Sequence, residues 1–141
     1  MLYKIEIQDK PGIFDAVGEG VKKGIFDLGI KAVGSVRFIQ VYNIEAGISK
    51  SDCVRICREL LCDPICQDFY LNRTIKNKSK NEFIVEIAYN PGVMDPVEES
   101  TLKGVRDLGI QGVVSVKTAK KYILRGHISP GELKIISEKL P

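Results

Sequence analysis

The chain of 141 residues contains a single histidine, His127, and this scarcity limits the chemistry that it can perform. One histidine leaves no pairing of serine, histidine and aspartate, or of cysteine and histidine, for nucleophilic catalysis. No second histidine or nearby cysteine accompanies it as a metal ligand, and no G-x-x-x-x-G-K-[ST] phosphate loop occurs. We therefore expect no catalytic residue, no cofactor and no metal.

Long apolar runs are also missing, because no stretch approaches the roughly 18–20 residues that a membrane helix needs. The opening MLYKIEIQDK lacks the apolar stretch of a secretion signal, so we expect a cytoplasmic protein that does not contact membranes. The net charge of +3 is too small and too dispersed to predict nucleic-acid binding.

Four cysteines are present in one half of the chain, and a cytoplasmic location predicts that they stay reduced. Cys53, Cys57, Cys62 and Cys66 follow the pattern C-x3-C-x4-C-x3-C, which differs from the C-x2-C pairs of zinc and iron–sulfur sites. Cys53 and Cys57 fall on the apolar side of a predicted helix. We interpret them as small buried residues, and a soft-metal or redox role is the alternative.

An internal repeat dominates the sequence, since residues 3–61 align without a gap on residues 83–141. About 20 of the 59 aligned pairs are identical, including KGIFDLGIKAVGSV against KGVRDLGIQGVVSV. The repeat predicts a first unit at 1–72, a polar linker at 73–82 and a second unit at 83–141.

The second unit has no counterpart of the residues that close the first. We therefore expect it to lack its last strand and the chain to be a piece of a longer polypeptide. An unpaired strand edge invites pairing, so we also expect self-association.

Each unit reads as strand, helix, one or two strands, helix and, in the first unit, a final strand. Pro-Gly turns at 11–12 and 91–92 precede the first helices, and the long strand segments are expected to bend near 39–40 and 119–120. This order predicts an α+β fold, a tandem repeat of two ferredoxin-like units with helices on one face of a mainly antiparallel sheet. The predicted helix N-caps are Asp15, Ser49, Asp95 and Ser129.

Gly18, Gly20 and Gly24 inside the first helix of the first unit do not match a nucleotide-binding fingerprint, because their spacing is G-x-G-x-x-x-G. Glycine within a helix costs about 0.5–1 kcal/mol relative to alanine. Gly24 and Gly104 recur at equivalent positions, so we expect them to be sites of close packing against a sheet or a second helix.

Two motifs together suggest a family. The segments PGIFDAVGE and PGVMDPVEE, each followed by LGI and a strand, and LLCDPICQDFYL after the second helix resemble the PurS family. That family comprises the small accessory subunit of phosphoribosylformylglycinamidine synthase, also called formylglycinamide ribonucleotide amidotransferase, and the equivalent part of longer forms of the enzyme. This sequence departs from the pattern at Ala16 and at Glu98, where proline and glycine are usual.

The resemblance implies a role that is not catalytic on its own, in an ATP- and glutamine-dependent ligase of purine biosynthesis. It implies that the chain docks the glutaminase and synthase parts of the enzyme and helps ammonia to pass between them.

A second resemblance leads to a different function. The segment from Asp9 to Val36 is also similar to the start of an ACT domain, a ferredoxin-like regulatory module that binds amino acids near its Pro-Gly loop. Micromolar binding of one amino acid in calorimetry would favour this alternative.

Overall fold

The computed structural model describes residues 1–76, 79–90 and 92–140. Two residues of the predicted linker, Asn77 and Lys78, lie outside these ranges, as do Pro91 of the second predicted turn and Pro141. The elements in chain order are β1 (Leu2–Asp9), α1 (Ala16–Asp27), β2 (Val33–Ala46), α2 (Lys50–Ile56), a π-helical turn (Cys57–Leu61), β3 (Gln67–Leu71), β4 (Glu82–Ala88), α3 (Pro96–Asp107), β5 (Val113–Gly126) and α4 (Pro130–Lys139).

The strands follow the order β3-β1-β2-β5-β4 in a five-stranded sheet. β1 runs antiparallel to both of its neighbours: Ile5 lies opposite Tyr42 of β2 and opposite Leu71 of β3. The predicted α+β class with a mainly antiparallel sheet is thereby confirmed. The finer description as a tandem repeat of two ferredoxin-like units stays a prediction.

β2 and β5 are each continuous over 14 residues, so the possibility that each segment forms two strands is wrong, while the bends near residues 39–40 and 119–120 stay a prediction. No proline interrupts either strand, and both strands are rich in β-branched residues, which favour extended backbone. At the expected bend, the Gln40 side-chain amide Nε2 donates a hydrogen bond to the Ala119 carbonyl oxygen at 3.1 Å. The two predicted bends do coincide with boundaries between compact units, which fall after Ile39 and after Ala119.

The first compact unit consists of three segments, Met1–Ile13, Gln40–Ile75 and Ala88–Ala119. Alternate residues of β1 point to one face, where they meet the helices α2 and α3. The buried side chains of this core are Tyr3, Ile5, Ile7, Ile44, Ala46, Cys53, Ile56, Cys57, Cys62, Val105, Ile110 and Val116. Asp63-Pro64 follows the π-helical turn and ends the helical segment, since the residue before a proline disfavours helical geometry.

The opposite face of β1 buries one acid, Glu6, completely. Its Oε1 accepts a hydrogen bond from the backbone N–H of Ile75 at 2.7 Å, and the Lys4 ammonium lies 3.6 Å from its Oε2. The start of the predicted linker is therefore fastened to the sheet, which the polar composition of that segment did not indicate.

The second compact unit consists of Phe14–Ile39, Lys76–Ile87 and Lys120–Pro141, within the described ranges. It contains α1 and α4, and its core is formed by Ile25, Ile30, Val33, Val36, Tyr122, Leu124, Ile128 and Ile136. Phe38 and Tyr122 add an aromatic contact with ring centroids 5.6 Å apart. Neither α1 nor α4, nor any other described helix, is both long and apolar enough to cross a membrane.

Neither compact unit coincides with a sequence repeat, because each draws segments from both halves of the chain. The predicted boundaries at 1–72, 73–82 and 83–141 describe similarity of sequence and stay a prediction as domains. β4 begins at Glu82, so the last residue of the predicted linker is in a strand.

Candidate functional site

Two similar loops precede the first helix of each predicted repeat, and we call residues 10–15 the first loop and residues 92–95 the second loop. Gly12 has φ of +86° and Gly92 has φ of +85°, a conformation that favours glycine. The backbone N–H of Ile13 donates to the Lys10 carbonyl at 3.1 Å, and that of Val93 donates to the Asn90 carbonyl at 3.0 Å. The described parts of the two loops therefore turn in the same way.

The aspartate that ends each loop caps a helix and binds a strand at the same time. Asp15 Oδ1 accepts from the N–H of Gly18 at 2.8 Å, and its Oδ2 accepts from the N–H of Phe38 in β2 at 2.8 Å. Each loop is thus held to a strand 23 residues further along the chain.

Asp95 makes one more bond than Asp15 and is 2% exposed. Its Oδ1 accepts from the N–H of Val97 at 2.9 Å. Its Oδ2 accepts from both the N–H and the hydroxyl of Thr118 in β5, at 2.6 and 2.8 Å. Burial, together with the charge of Asp95, raises the pKa of the nearby Tyr42 hydroxyl above its ordinary value.

Each loop exposes two consecutive large apolar side chains immediately before its aspartate. Ile13 and Phe14 are 44% and 73% exposed, and Val93 and Met94 are 50% and 83% exposed. Exposed apolar side chains that adjoin one another are typical of surfaces that bind another protein. Because the aspartate bonds fix the backbone beside them, these side chains are presented with little loss of conformational freedom on binding.

The two predicted serine caps lie at the starts of α2 and α4. The Ser49 hydroxyl accepts from the N–H of Asp52 at 3.1 Å. Ser129 and Glu132 form a reciprocal capping box with two bonds of 3.1 Å. These bonds satisfy backbone donors at the helix starts and have a structural role.

The two predicted packing glycines have different surroundings. A Cβ atom at Gly104 in α3 would lie 2.6 Å from Leu60 Cδ1, so this glycine is a close contact. Gly24 in α1 is not, because a Cβ there would have no neighbour within 4 Å outside its own helix. The expectation for Gly24 is therefore wrong: its side of α1 borders an open groove of about 450 Å³, which Val17, Gly20, Leu28 and Leu140 also line.

The cysteines lie on and after α2, in the first compact unit. Cys53 and Cys57 are fully buried in its core, Cys62 is 8% exposed and Cys66 is partly exposed. The hydrogen bond to Cys53 and burial both raise the pKa of the Cys57 thiol, and burial raises that of Cys62. Three of these side chains are therefore small core residues.

The single histidine, His127, is exposed in the connection between β5 and α4. Within the described ranges, no three histidine, cysteine, aspartate or glutamate side chains come together where they could hold a metal ion.

Sequence reasoning missed two features of this site. It identified Asp15 and Asp95 as caps, but not their bonds to Phe38 and Thr118, which join residues far apart in the chain. It also passed over the exposed pairs in the loops. The signal for these pairs was present, because IFD and VMD recur at the same place in both repeats.

These features define the class of the molecule as an α+β protein with a mainly antiparallel sheet. A family model named PurS and described as phosphoribosylformylglycinamidine (FGAM) synthase matches residues 2–74. That match spans 73 of the 141 residues, more than half of the chain. The chain belongs to the PurS family, which confirms the resemblance, and so has a role in FGAM synthase of purine biosynthesis. The match contains the first predicted repeat alone.

Among solved structures, the chain is similar to PurS of Methanocaldococcus jannaschii, described as one of the subunits of formylglycinamide ribonucleotide amidotransferase in the purine biosynthetic pathway. The two share 18% sequence identity over 53% of this chain and 98% of that one, with a TM-score of 0.45. No curated protein matches the sequence.

Proposed function

We propose that this chain is a non-catalytic assembly component of FGAM synthase in the cytoplasm. In this role it docks the glutaminase and synthase parts of the ATP- and glutamine-dependent enzyme and helps ammonia to pass from one to the other. It also self-associates. Family membership supports the choice of enzyme, and the two loops carry the proposal for how the chain acts in it.

The single observation behind the docking role is the repeated presentation of an apolar pair beside an anchored aspartate. Aromatic side chains and methionine are enriched where proteins bind one another, and a few buried anchors supply most of the binding energy. Phe14 and Met94 are the most exposed large side chains of their loops, at 73% and 83%. Burying both against partner proteins removes apolar area from water and leaves no polar group unpaired.

The same contacts account for a role in ammonia transfer. An intermediate that escapes into water is lost to the reaction, and a closed contact between protein surfaces prevents that loss. Apolar side chains seal such a contact because they exclude water without needing hydrogen-bond partners. In this arrangement, the chain contributes the seal and the spacing, while its partners perform the chemistry.

The experiment compares Phe14→Ser and Met94→Ser with the unchanged chain in an enzyme reconstituted from this chain and its synthase and glutaminase parts. We expect each substitution to lower glutamine-dependent FGAM formation by about tenfold, the usual effect of losing one interface anchor. FGAM formation supplied with free ammonium should fall less than twofold, because the synthase chemistry is untouched.

Phe26→Ser is the matched control, since Phe26 is 57% exposed but lies on α1 outside both loops. It should leave both activities unchanged. If the loop variants support glutamine-dependent synthesis as well as the unchanged chain does, the loops are not the docking surface.

A further inference from the structure

An open groove of about 450 Å³ lies between α1 and α4 in the second compact unit. Val17, Gly20, Gly24 and Leu28 recur every three or four residues along α1, so they share the face of the helix that borders the groove. Val17 and Leu28 remain 48% and 46% exposed. Among the described residues, this apolar helix face therefore has only partial cover.

The first compact unit contains the equivalent pair of helices, and there a leucine fills the equivalent position. The offset of 80 matches α1 to α3 and α4 to α2. Leu60 lies against α3 so closely that its Cδ1 would be 2.6 Å from a Cβ atom at Gly104. Leu60 belongs to the π-helical turn Cys57–Leu61. The molecule itself thus shows that a leucine on a helical turn fits beside this glycine.

The residues of α1 make the open groove wider and more apolar than its counterpart. Gly20 and Val21 of α1 stand where α3 has Ser100 and Thr101. A hydroxyl group that is covered by another molecule costs free energy unless it keeps a hydrogen bond, and α1 has no hydroxyl group at these two positions. The groove of the second unit is therefore the better suited to cover by apolar side chains.

The charge at the end of the groove is opposite to that in the first unit. There, Glu59 precedes Leu60 and pairs with Arg55 of its own helical segment, with 2.6 Å between Nε and Oε2. The equivalent residue of the second unit is Lys139, which lines the groove. A lysine at this place favours an occupant that has an acid close to its apolar side chain.

From the filled counterpart we infer that this groove binds a helical turn of the synthase part of the enzyme. The turn inserts a leucine-sized apolar side chain beside Gly24 and places an acid near Lys139. Helices that lay an apolar side into a groove are a common mode of recognition. The inference rests on the proposed docking function and gives the chemistry of one partner segment in it.

Continuity with the first loop favours a partner protein over a second copy of the chain. Ala16 and Val17 line the groove and directly follow Asp15, which ends that loop. The exposed Phe14 is three residues before Val17, so a partner that covers the loop reaches the groove with the same surface. Lasting contacts are more apolar than transient ones, and the synthase part performs the step after which the family is described.

The first test measures the dissociation constant between the whole chain and the purified synthase part by sedimentation. Gly24→Leu fills the groove from within, and we expect it to raise the constant at least about tenfold, because a partner anchor loses its site. Gly131→Leu adds the same side chain to α4 outside the groove, where nothing lies within 4 Å of a Cβ, and should change the constant less than about twofold. Lys139→Glu should raise it about threefold, and Lys134→Glu, outside the lining, should not.

Urea unfolding checks that Gly24→Leu is folded, and the variant should be at least as stable as the unchanged chain because leucine favours helix more than glycine does. A synthase constant that Gly24→Leu leaves unchanged would overturn the inference. Weaker binding to the glutaminase part alone would also overturn it. Weaker self-association with unaltered synthase binding would do the same, and would assign the groove to a second copy.

The second test identifies the occupant by photo-cross-linking in a Cys66→Ser background. A benzophenone maleimide is attached to Val17→Cys at the edge of the groove, and the complex with the synthase part is illuminated. We expect cross-links to a helical segment of the synthase that has a leucine-sized apolar residue and an acid within one turn of each other. The same label on Gly131→Cys should not reach this segment. Cross-links from Val17→Cys to a segment without these features would contradict the inference.

Failure here is separable from failure of the docking role. If Phe14→Ser lowers glutamine-dependent FGAM formation while Gly24→Leu leaves the synthase constant unchanged, the docking loops stand and the groove inference is wrong. If Gly24→Leu has its expected effect and the loop variants have none, the groove binds the synthase and the loops are not the docking surface. An unchanged chain that binds neither part would refute both.

Discussion

Gly24 and Gly104 occupy the same place in two helices of nearly repeated sequence, yet one lies beside an open groove and the other beside a leucine. In the first compact unit, the π-helical turn after α2 carries Leu60 against Gly104. In the second compact unit, the residue equivalent to Leu60 is Leu140, which caps α4 in an extended conformation and lines the groove. The sequence of a helix alone thus does not determine whether one of its glycines is closely packed. Gly104 lies in α3, but the residue that contacts it, Leu60, belongs to the turn that follows α2.

A second pair of equivalent positions, 46 and 126, also differs in packing, but here the more crowded position lies in the second repeat. Ala46 ends β2 and is 1% exposed, and the offset of 80 places Gly126 at the end of β5. A Cβ at Gly126 would collide with the backbone carbonyl of Ala32, and its φ of +153° also disfavours a side chain. Here the second repeat has the tighter environment, so neither repeat is a looser version of the other.

Among the substitutions that test this comparison, Gly126→Ala should change the free energy of unfolding the most. The added methyl group meets backbone atoms that cannot move aside, so we expect a loss of about 3 kcal/mol or more in the free energy of unfolding, measured with urea. Gly47→Ala is the control, since nothing lies within 4 Å of a Cβ there, and it should change stability by less than about 0.5 kcal/mol. Equal stability of the two variants would show that the β5 end adapts to a side chain.

The second largest effect is expected at the two loop aspartates, whose replacement should lower the free energy of unfolding by different amounts. Asp95→Ala removes a cap and leaves the buried N–H and hydroxyl of Thr118 without their acceptor, at a cost of about 3 kcal/mol. Asp15→Ala removes one cap and one strand bond and should cost about 2 kcal/mol. Ser49→Ala, which loses a cap alone, should cost about 1 kcal/mol. Losses that do not follow this order in urea unfolding would mean that the strand bonds contribute little.

Replacing Gly24 or Gly104 by alanine should change the free energy of unfolding by less than the substitutions above, and in the stabilising direction. Gly24→Ala should stabilise the chain by about 0.5–1 kcal/mol, because the helix gains propensity and the groove has room. Gly104→Ala should gain less, since Leu60 must move. Adding Leu60→Ala to Gly104→Ala should restore the helix contribution in a double-mutant cycle. An identical gain at both glycines, without Leu60→Ala, would remove Leu60 as the cause of the difference.

The smallest effect concerns an ion pair that the second repeat lacks. Lys10 Nζ lies 3.0 Å from Asp68 Oδ1, and this hydrogen bond and charge raise the pKa of Lys10 above 10.5. The equivalent residue in the second repeat is the uncharged Asn90. A raised lysine pKa stabilises the folded state below the unfolded pKa and loses that contribution as the pH rises through the folded pKa.

Asp68→Asn should therefore lower the pKa of Lys10, as followed by NMR of its side chain. It should also remove a small contribution to stability that is present below the unfolded lysine pKa, so that stability falls less as the pH rises through the folded pKa. Glu59→Gln, which breaks the separate pair with Arg55, should leave Lys10 unchanged. A Lys10 titration that ignores Asp68→Asn would show that the pair does not persist in solution.

Local patterns predicted the parts of this fold that local forces decide. The alternation in β1 and the Asp15 and Asp95 positions required no knowledge of distant residues. The possible division of the long segment into two strands at residues 39–40 was wrong, because β-branched residues continue on both sides of that position. The π-helical turn was not distinguishable from α-helix by apolar spacing.

The assignment of helices to cores could not be predicted, because repeated sequences do not specify which copy of a helix meets which strand. Residue Val105 of α3 is buried together with Ile5 of β1, one hundred positions earlier. The neighbour of Gly104 was hidden for the same reason, because Leu60 belongs to the other repeat. The sequence therefore predicted several residues of the candidate site, but it did not predict which residues they contact.

The composition of the first compact unit also has a consequence for biosynthesis. Its first segment ends at Ile13 and its last runs from Ala88 to Ala119, so its core cannot be completed until residue 119 has left the ribosome. Until then the side chains of Tyr3, Ile5 and Ile7 lack their contacts with α3. Such late closure of distant contacts slows folding and leaves apolar strands open to wrong pairing. The distance along the chain between β1 and α3 therefore leaves β1 without its full cover while the residues between them are being synthesised.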